Sequence, residues 1–254
     1  MVKLVCKDEN YDLAVIVRPT LPVAVGIFNA NILHRLGTAY RWYSFLFNIR
    51  HKQHRKGSFK HESQYNLDLL REVGIDETVS AVKIHVSDEE IIWAKKYLID
   101  IKINITKGFI VIHIPSLGSA LKWNDRNFPE LVKLLLQRDE QIILTGTKDE
   151  ESYVRELTKD LWNTNLHYIF DLGLNQFKAL LSQAKLFIGN SSGPIHIGAA
   201  VGTYCIGFYP TIKVQSAIRW APLTERKKIY EISDDSMKPE PKDVFNFINQ
   251  NLLK

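Results

Sequence analysis

The residues of this sequence best suited to chemistry form a short turn between an apolar segment and a helix, Ser191-Ser192-Gly193. The apolar residues 186–189 are typical of a buried strand, and Pro194 suits the first turn of a helix, where its missing amide hydrogen would be unpaired anyway. Gly193 lets a ligand approach the backbone, facing free amides and the positive end of the helix dipole. The turn is therefore predicted to bind a diphosphate. The alternative is an ordinary helix that the two serines cap.

A second candidate is a basic stretch, residues 34–61, which holds seven Lys and Arg side chains and no acidic one. Aromatic residues are interleaved with these cations, among them Trp42 and Phe59. One interpretation is a surface for an anionic partner, either a membrane face or a phosphorylated acceptor, and the other is a solvated loop and helix face. Nucleic acid is not expected as a partner, because no nucleic-acid-binding signature accompanies the charge.

The elements that must position the turn alternate between strand and helix from residue 108 onward. Strands are predicted at 109–114, 141–145, 167–170, 186–189 and 204–208, and helices at 129–137, 149–161, 175–184 and 194–201. This spacing is typical of β-α-β units, so we expect a parallel sheet covered on both faces. Open sheets of this kind bind ligands beyond the carboxyl ends of their strands, where the turn lies.

The pattern before this region is less regular. Its predicted elements are a strand at 13–17, a helix from Val23 to Leu36 and a helix at 62–73. A further helix should begin at Ser87, which forms a capping box with Glu90. The stretch 100–107 is the predicted junction between two domains, 1–104 and 105–254.

Composition excludes several classes of protein. The chain has 254 residues, 45% of them hydrophobic and 24% charged, with a formal net charge of +5, which is typical of a soluble globular protein and not of a disordered or collagen-like one. Two cysteines, Cys6 and Cys205, cannot form a disulfide framework or a metal cluster. No apolar run reaches the ~18 residues needed to span a bilayer, and the N-terminus has no signal-peptide pattern, so a cytoplasmic location is expected.

The turn belongs to a longer motif that resembles the signature of the family-nine glycosyltransferases, which include the heptosyltransferases that build the lipopolysaccharide inner core from ADP-heptose. The motif reads Asn-Ser-Ser-Gly-Pro-Ile-His-Ile-Gly-Ala-Ala-Val-Gly-Thr over residues 190–203, and Ile-Gly-Phe-Tyr-Pro-Thr follows at 206–211. Ser191 stands where the family usually has aspartate. The resemblance extends over nearly the whole chain, since further family-like segments occur at 11–19, 60–75, 116–128 and 219–222.

The resemblance implies an α/β fold of the GT-B type, with two Rossmann-like domains built on parallel sheets. The C-terminal domain would hold the nucleotide sugar, a donor of the ADP-heptose type, and the acceptor would be an anionic lipopolysaccharide core at the cytoplasmic membrane face. Peripheral contact with that membrane is a further expectation. Because backbone amides would stabilise the departing diphosphate, no metal and no other cofactor is expected.

The resemblance also implies which residues bind the donor: Ser116, Ser119, Lys122, Gly146, Glu150, Ser191, Ser192, Gly193 and His196. Three of these roles have alternatives. Lys122 is displaced by one position from the family's lysine and is otherwise a solvated side chain. Glu150 is otherwise an acid that opens a helix, where the dipole favours it. His196 is otherwise a structural contact within its helix.

Family members begin with a strand and a Gly-Asp turn, whose aspartate is the suspected general base. This sequence has no such unit, and Asp8 and Glu9 precede the first predicted strand, so no catalytic residue is assigned. The N-terminal domain is therefore expected to be incomplete. Two functions follow: inverting transfer with a base from elsewhere, or binding of a nucleotide or nucleotide sugar without transfer. A nucleotide-sugar epimerase of the same fold is disfavoured, because the turn fits the transferases better.

Overall fold

The computed structural model describes residues 10–116, 121–233 and 238–253. The chain forms two compact units, residues 1–79 and 80–254. The helix that Ser87 caps lies in the second unit, so the division between the units falls ahead of the stretch 100–107. No helix in the described part of the chain combines the length and the hydropathy that crossing a bilayer requires.

The first unit contains a parallel three-stranded sheet in the order β1-β2-β3. Its elements are β1 (Leu13–Val15), α1 (Leu21–Asn29), β2 (His34–Thr38), β3 (Ile49–His51) and α2 (Glu62–Leu70). A 3-10 turn, Arg71–Val73, extends α2. A small core that includes Ala24, Ile27 and Phe47 fills the space between α1 and the sheet.

The helix predicted from Val23 to Leu36 is wrong in its second half. The observed α1 ends at Asn29, and Leu36 lies in β2, where it pairs with Val15 and Ile49. Asn31 adopts a left-handed conformation with φ of 57°, which stops the helix, and asparagine tolerates this conformation better than most residues. The apolar spacing suited either structure, so pairing with the neighbouring strands decided it.

The second unit contains a parallel six-stranded sheet in the order β6-β5-β4-β7-β8-β9. Its strands are β4 (Phe109–His113), β5 (Gln141–Gly146), β6 (Leu166–Phe170), β7 (Leu186–Asn190), β8 (Tyr204–Pro210) and β9 (Lys227–Ile232). Its helices are α3 (Asp88–Asp100), α4 (Asn127–Gln137), α5 (Glu151–Leu157), α6 (Leu174–Gln183), α7 (Gly193–Ala200), α8 (Ala217–Trp220) and α9 (Pro241–Asn251). The alternation predicted from residue 108 onward is thus confirmed, and the strands extend outward in both directions from the β4–β7 pair.

Helices cover both faces of this sheet, as the apolar strands predicted. On one face the core includes Leu131 of α4, Val154 of α5 and Val244 of α9. On the other it includes Leu98 of α3 and Leu180 of α6. Because every residue of β4 and β7 is buried, the middle of the sheet is fixed from both sides.

Two glycines let α7 pack closely on the sheet. A Cβ atom at Gly198 would lie 3.3 Å from the Cys205 sulfur and 3.5 Å from the Phe187 Cβ. A Cβ atom at Gly207 of β8 would lie 2.6 Å from Cδ1 of Ile195, the first large apolar residue of α7. The position of the α7 N-terminus over the sheet therefore depends on the missing side chain at Gly207.

We expect Gly207→Ala to destabilise the chain by about 1–3 kcal/mol, because the new methyl group overlaps Ile195 and the Tyr209 ring. Gly193→Ala is the matched control, since no atom lies within 4 Å of a Cβ at that position. Urea unfolding of both variants measures the difference. Equal stability of the two would mean that α7 does not depend on this contact.

Candidate anion-binding site at the sheet switch point

The predicted turn lies at the switch point of the six-stranded sheet. The strand order reverses between β4 and β7, which are paired with His113 opposite Gly189. The connection after β4 leads to β5 and the connection after β7 leads to β8, in opposite directions across the sheet. The carboxyl ends of β4 and β7 therefore border a crevice. This is the position where open α/β sheets bind ligands.

The backbone of the turn passes directly from the sheet into α7. The amide of Ser191 donates to the Phe208 carbonyl at 3.1 Å and so continues the β7–β8 pairing by one residue. Ser192 is the N-cap residue, with extended φ and ψ of −146° and 171°. Gly193 then begins the helix. On this path the first amides of α7 point outward, beyond the carboxyl ends of the strands.

The side-chain capping that the sequence allowed is not observed. None of the described side chains caps α7, and the Ser192 hydroxyl instead donates to the Asn190 carbonyl at 3.3 Å. The amides of Gly193 and Ile195 precede the first intrahelical bond, so the cap leaves them available to a ligand. An uncapped N-terminus of this kind favours an anion through both its amides and its dipole.

Gly193 borders open space. It is exposed, and a Cβ atom built on it would meet nothing within 4 Å. No steric reason within the described structure therefore requires glycine at this position. His196 is also exposed and lies in the first turn of α7.

Asn190, the last residue of β7, holds the two sides of the crevice together. Its side chain is 1% exposed, donates from Nδ2 to the Ile114 carbonyl at 3.2 Å and accepts from the Trp123 amide at 2.9 Å. Trp123 is buried in turn, stacked on Phe208 with ring centroids 4.1 Å apart. The sequence motif contained Asn190, but its role required knowledge of which segments meet there.

Asn190→Ala should destabilise the chain by about 2–3 kcal/mol, because it leaves the Trp123 amide and the Ile114 carbonyl buried without their partner. Urea unfolding of the full chain measures this loss. Asn175→Ala, at an exposed residue of α6, is the control and should change stability by less than about 0.5 kcal/mol. A stability of Asn190→Ala equal to that of the control would contradict the bridging role.

His113, the last residue of β4, is a second site residue that the sequence did not single out. It is 8% exposed, and its Nδ1 lies 3.1 Å from the Thr145 hydroxyl of the neighbouring strand. Burial lowers the pKa of His113 to about 4, against a smaller opposing effect of the Glu150 charge. The switch point therefore contains a neutral imidazole at physiological pH.

The burial of His113 makes stability depend on pH. Between pH 6.5 and about 4 the unfolded chain binds a proton at this ring and the folded chain does not. Stability should therefore fall with decreasing pH over this interval, by up to about 1.4 kcal/mol per pH unit. His113→Gln should remove this part of the slope.

Urea unfolding at several pH values between 4 and 7 measures that slope, and the slope is informative even if the variant is less stable overall. Asn175→Ala, at an exposed residue that does not titrate, should leave the wild-type slope unchanged. A His113→Gln slope equal to that of the wild type would contradict the neutral, buried state of the ring.

The remaining predicted residues follow β4 and β5 along the chain. Ser116 is half-buried at the start of the connection after β4, and Ser119 lies outside the described residues. The Lys122 ammonium donates to Asp125 at 2.7 Å and lies 3.4 Å from the Tyr153 hydroxyl. Burial would lower the pKa of Lys122, but Asp125 reverses this and raises it. Lys122 is thus a paired cation, neither fully solvated nor free.

Glu150 forms the helix-opening structure that was its alternative interpretation. Its Oε2 accepts from the Thr147 amide at 2.8 Å, completing a capping box before α5. Gly146 precedes it at the end of β5, where a Cβ atom would lie 3.2 Å from the Phe170 ring. A nucleoside contact of Glu150 stays a prediction.

Asp8 and Glu9 lie outside the residues that the structure describes. Within the described residues, no group of three His, Cys, Asp or Glu side chains is placed to hold a metal ion.

Comparison with known proteins agrees with this geometry. A protein of Haemophilus influenzae described as a putative glycosyltransferase is 30% identical over 214 residues, which are 79% of this chain and 60% of that protein. Lipopolysaccharide heptosyltransferase 3 of Escherichia coli is 27% identical over 191 residues, 69% of this chain and 53% of that protein. The chain thus spans between half and two thirds of the length of these relatives.

The fold is also that of a solved structure, the ADP-heptose lipopolysaccharide heptosyltransferase II of Escherichia coli. The two superpose with a TM-score of 0.80 over 99% of this chain and 79% of that one, at 18% identity. The two parallel sheets are accordingly those of GT-B glycosyltransferases. The family model of glycosyltransferase family 9 (heptosyltransferase) matches residues 3–245, and the chain therefore belongs to that family.

Proposed function

We propose that this chain is a heptosyltransferase-type glycosyltransferase. It takes a sugar from a donor of the ADP-heptose type and transfers it, with inversion, to an anionic acceptor of the lipopolysaccharide-core type. The observation that carries the proposal is the uncapped N-terminus of α7, which opens at Gly193 onto free space at the switch point of the sheet. Family membership and the likeness to the ADP-heptose lipopolysaccharide heptosyltransferase II of E. coli support the choice of donor and acceptor.

The donor diphosphate binds at the N-terminus of α7. The amides of Gly193 and Ile195 donate to its oxygens, and the helix dipole adds a favourable field. The hydroxyls of Ser191 and Ser192 lie in the same turn, and His196 lies in the first turn of the helix. Asn190 acts indirectly, since it keeps this turn in register with the connection after β4.

The opposite side of the crevice supplies the remaining donor contacts. Ser116 binds the diphosphate from the start of the connection after β4, and Lys122 neutralises part of its charge while it stays paired with Asp125. The donor-binding role of Ser119 rests on the family resemblance alone. Gly146 leaves space next to Glu150, whose second carboxylate oxygen bonds to no described residue and takes a hydroxyl of the nucleoside.

The reaction is a displacement at the anomeric carbon. The acceptor hydroxyl oxygen forms the new bond to this carbon from the face opposite the diphosphate. The bond from carbon to the diphosphate oxygen breaks, and its electron pair leaves with the nucleoside diphosphate. A general base, not assigned among the described residues, takes the hydroxyl proton. The amides of α7 stabilise the charge on the leaving group, which is the task a metal ion performs in other enzymes.

Gly193→Leu should reduce ADP affinity at least 100-fold without loss of stability. The leucine side chain fits into the open space in front of α7, which is the space the diphosphate needs. Titration calorimetry with ADP measures the affinity, and urea unfolding checks the fold. Gly173→Leu, at the N-cap of α6 away from the switch point, is the matched control and should bind ADP like the wild type.

Absence of heat with ADP, UDP and GDP from the folded wild type would overturn the proposal. Unchanged ADP affinity of Gly193→Leu would also contradict it. Transfer itself is measured as ADP release from ADP-heptose in the presence of a lipopolysaccharide-core acceptor. ADP binding without any release would support the alternative, a chain that binds the nucleotide sugar without transferring it.

A further inference from the structure

Tyr209, near the end of β8, lies next to the turn that precedes α7. Ser191 continues the β7–β8 pairing by one residue, so it is the neighbour of Tyr209 across the two strands. The Tyr209 ring is fully buried in the core on the α7 side of the sheet. A Cβ atom at Gly207 would meet both this ring, at 2.7 Å, and Ile195 of α7, at 2.6 Å. The ring therefore lies in the contact between β8 and the first turn of α7.

The hydroxyl group of Tyr209 has no partner within the described chain. It is buried, and no described residue is placed to form a hydrogen bond with it. Tyr43, which is also buried, donates to the Pro19 carbonyl at 3.0 Å. The hydroxyl of buried Tyr65 accepts from the Phe59 amide at 3.1 Å. A buried polar group without a partner costs stability, whereas phenylalanine would fill the same space without that cost, so stability does not explain the Tyr209 hydroxyl.

The Ser191 hydroxyl lies beside this phenol. Burial raises the pKa of Tyr209, and the Ser191 hydroxyl opposes part of that rise, which requires the two groups to be close. The two groups are nonetheless not aligned for a hydrogen bond in the structure. Ser192 differs, because its hydroxyl donates to the Asn190 carbonyl and is used within the turn. Ser191 is only half-buried, so it lies between the buried phenol and the exposed side of the turn at Gly193.

A serine hydroxyl in this position can connect a buried donor to an anion. Each hydroxyl carries one hydrogen and two acceptor lone pairs, so Ser191 can accept from the phenol and donate elsewhere. Once it accepts, its own hydrogen must point away from the phenol, and an oxygen of a diphosphate at the N-terminus of α7 would be the acceptor on that side. Hydrogen bonds to a charged oxygen are about twice as strong as neutral ones, and bonds in a chain strengthen one another. A bound anion would therefore align the two hydroxyls.

We infer that Tyr209 is a positioning residue of the donor site. When a nucleoside diphosphate binds at the N-terminus of α7, the Tyr209 hydroxyl donates to Ser191, and the Ser191 hydroxyl donates to a diphosphate oxygen. The phenol orients Ser191 and does not touch the ligand itself. Because the phenol gains its partner only on binding, its hydroxyl adds to affinity and not to the stability of the unliganded chain. This inference rests on the proposed function, and it assigns to that site a residue outside the small-residue turn.

Tyr209→Phe in the full chain separates affinity from stability. It removes only the hydroxyl, so we expect an ADP affinity about tenfold below that of the wild type in titration calorimetry. The urea midpoint should stay equal or rise, since the variant buries no unpaired hydroxyl. Ser191→Ala should lose at least as much affinity. The double variant should lose no more than Ser191→Ala alone, because the phenol acts only through Ser191.

Tyr43→Phe is the matched control, because it removes the hydroxyl of another buried tyrosine, one that is paired within the chain. Its urea midpoint should fall, and its ADP affinity should equal that of the wild type. Three results would overturn the inference while the proposed function stands: an unchanged ADP affinity of Tyr209→Phe, a fall in its urea midpoint, or additive losses in the double variant. If the wild type binds no ADP, UDP or GDP, the proposed function itself fails, and the inference fails with it.

Discussion

The second unit depends on the junction between β4 and β7, where the strand order reverses and the Asn190 side chain connects the two strand ends. A parallel sheet that extends outward in both directions from one strand pair leaves a crevice at that pair. The buried side-chain amide of Asn190 joins the two sides of this crevice: its oxygen accepts from the Trp123 amide, and its nitrogen donates to the Ile114 carbonyl. Trp123, stacked on Phe208, extends this connection into the core.

The position of α7 follows from the same constraint. Glycines at 198 and 207 let the helix lie close on β7 and β8, and this brings its first amides to the border of the crevice. No side chain among the described residues caps these amides, and Ser192 uses its hydroxyl within the turn. The neutral His113 adds no charge to the crevice. The electrostatics of the proposed diphosphate site thus come from the backbone of α7, which packing holds against the sheet.

Some predictions could be made from local pattern alone. The Ser87–Glu90 capping box and the strands β4 to β8 are where the sequence placed them, because each depends on residues within a few positions of one another. The helix beyond Asn29 was wrong, because the strand at Leu36 is stabilised by partners from other parts of the chain. Glu150 and Lys122 bond to Thr147 and Asp125, and their roles in donor binding stay predictions.

The sequence by itself determined the alternation of strands and helices, the small-residue turn before α7 and the resemblance to family-nine glycosyltransferases, since these are properties of consecutive residues. Only the tertiary structure decided that the turn lies at the switch point, that Asn190 and His113 belong to it, and that the serines leave the helix amides uncapped. The physical reason is that these features depend on strand order and on hydrogen bonds between segments that are far apart along the chain. Asn190 and Trp123, 67 positions apart, meet only when β4 and β7 pair.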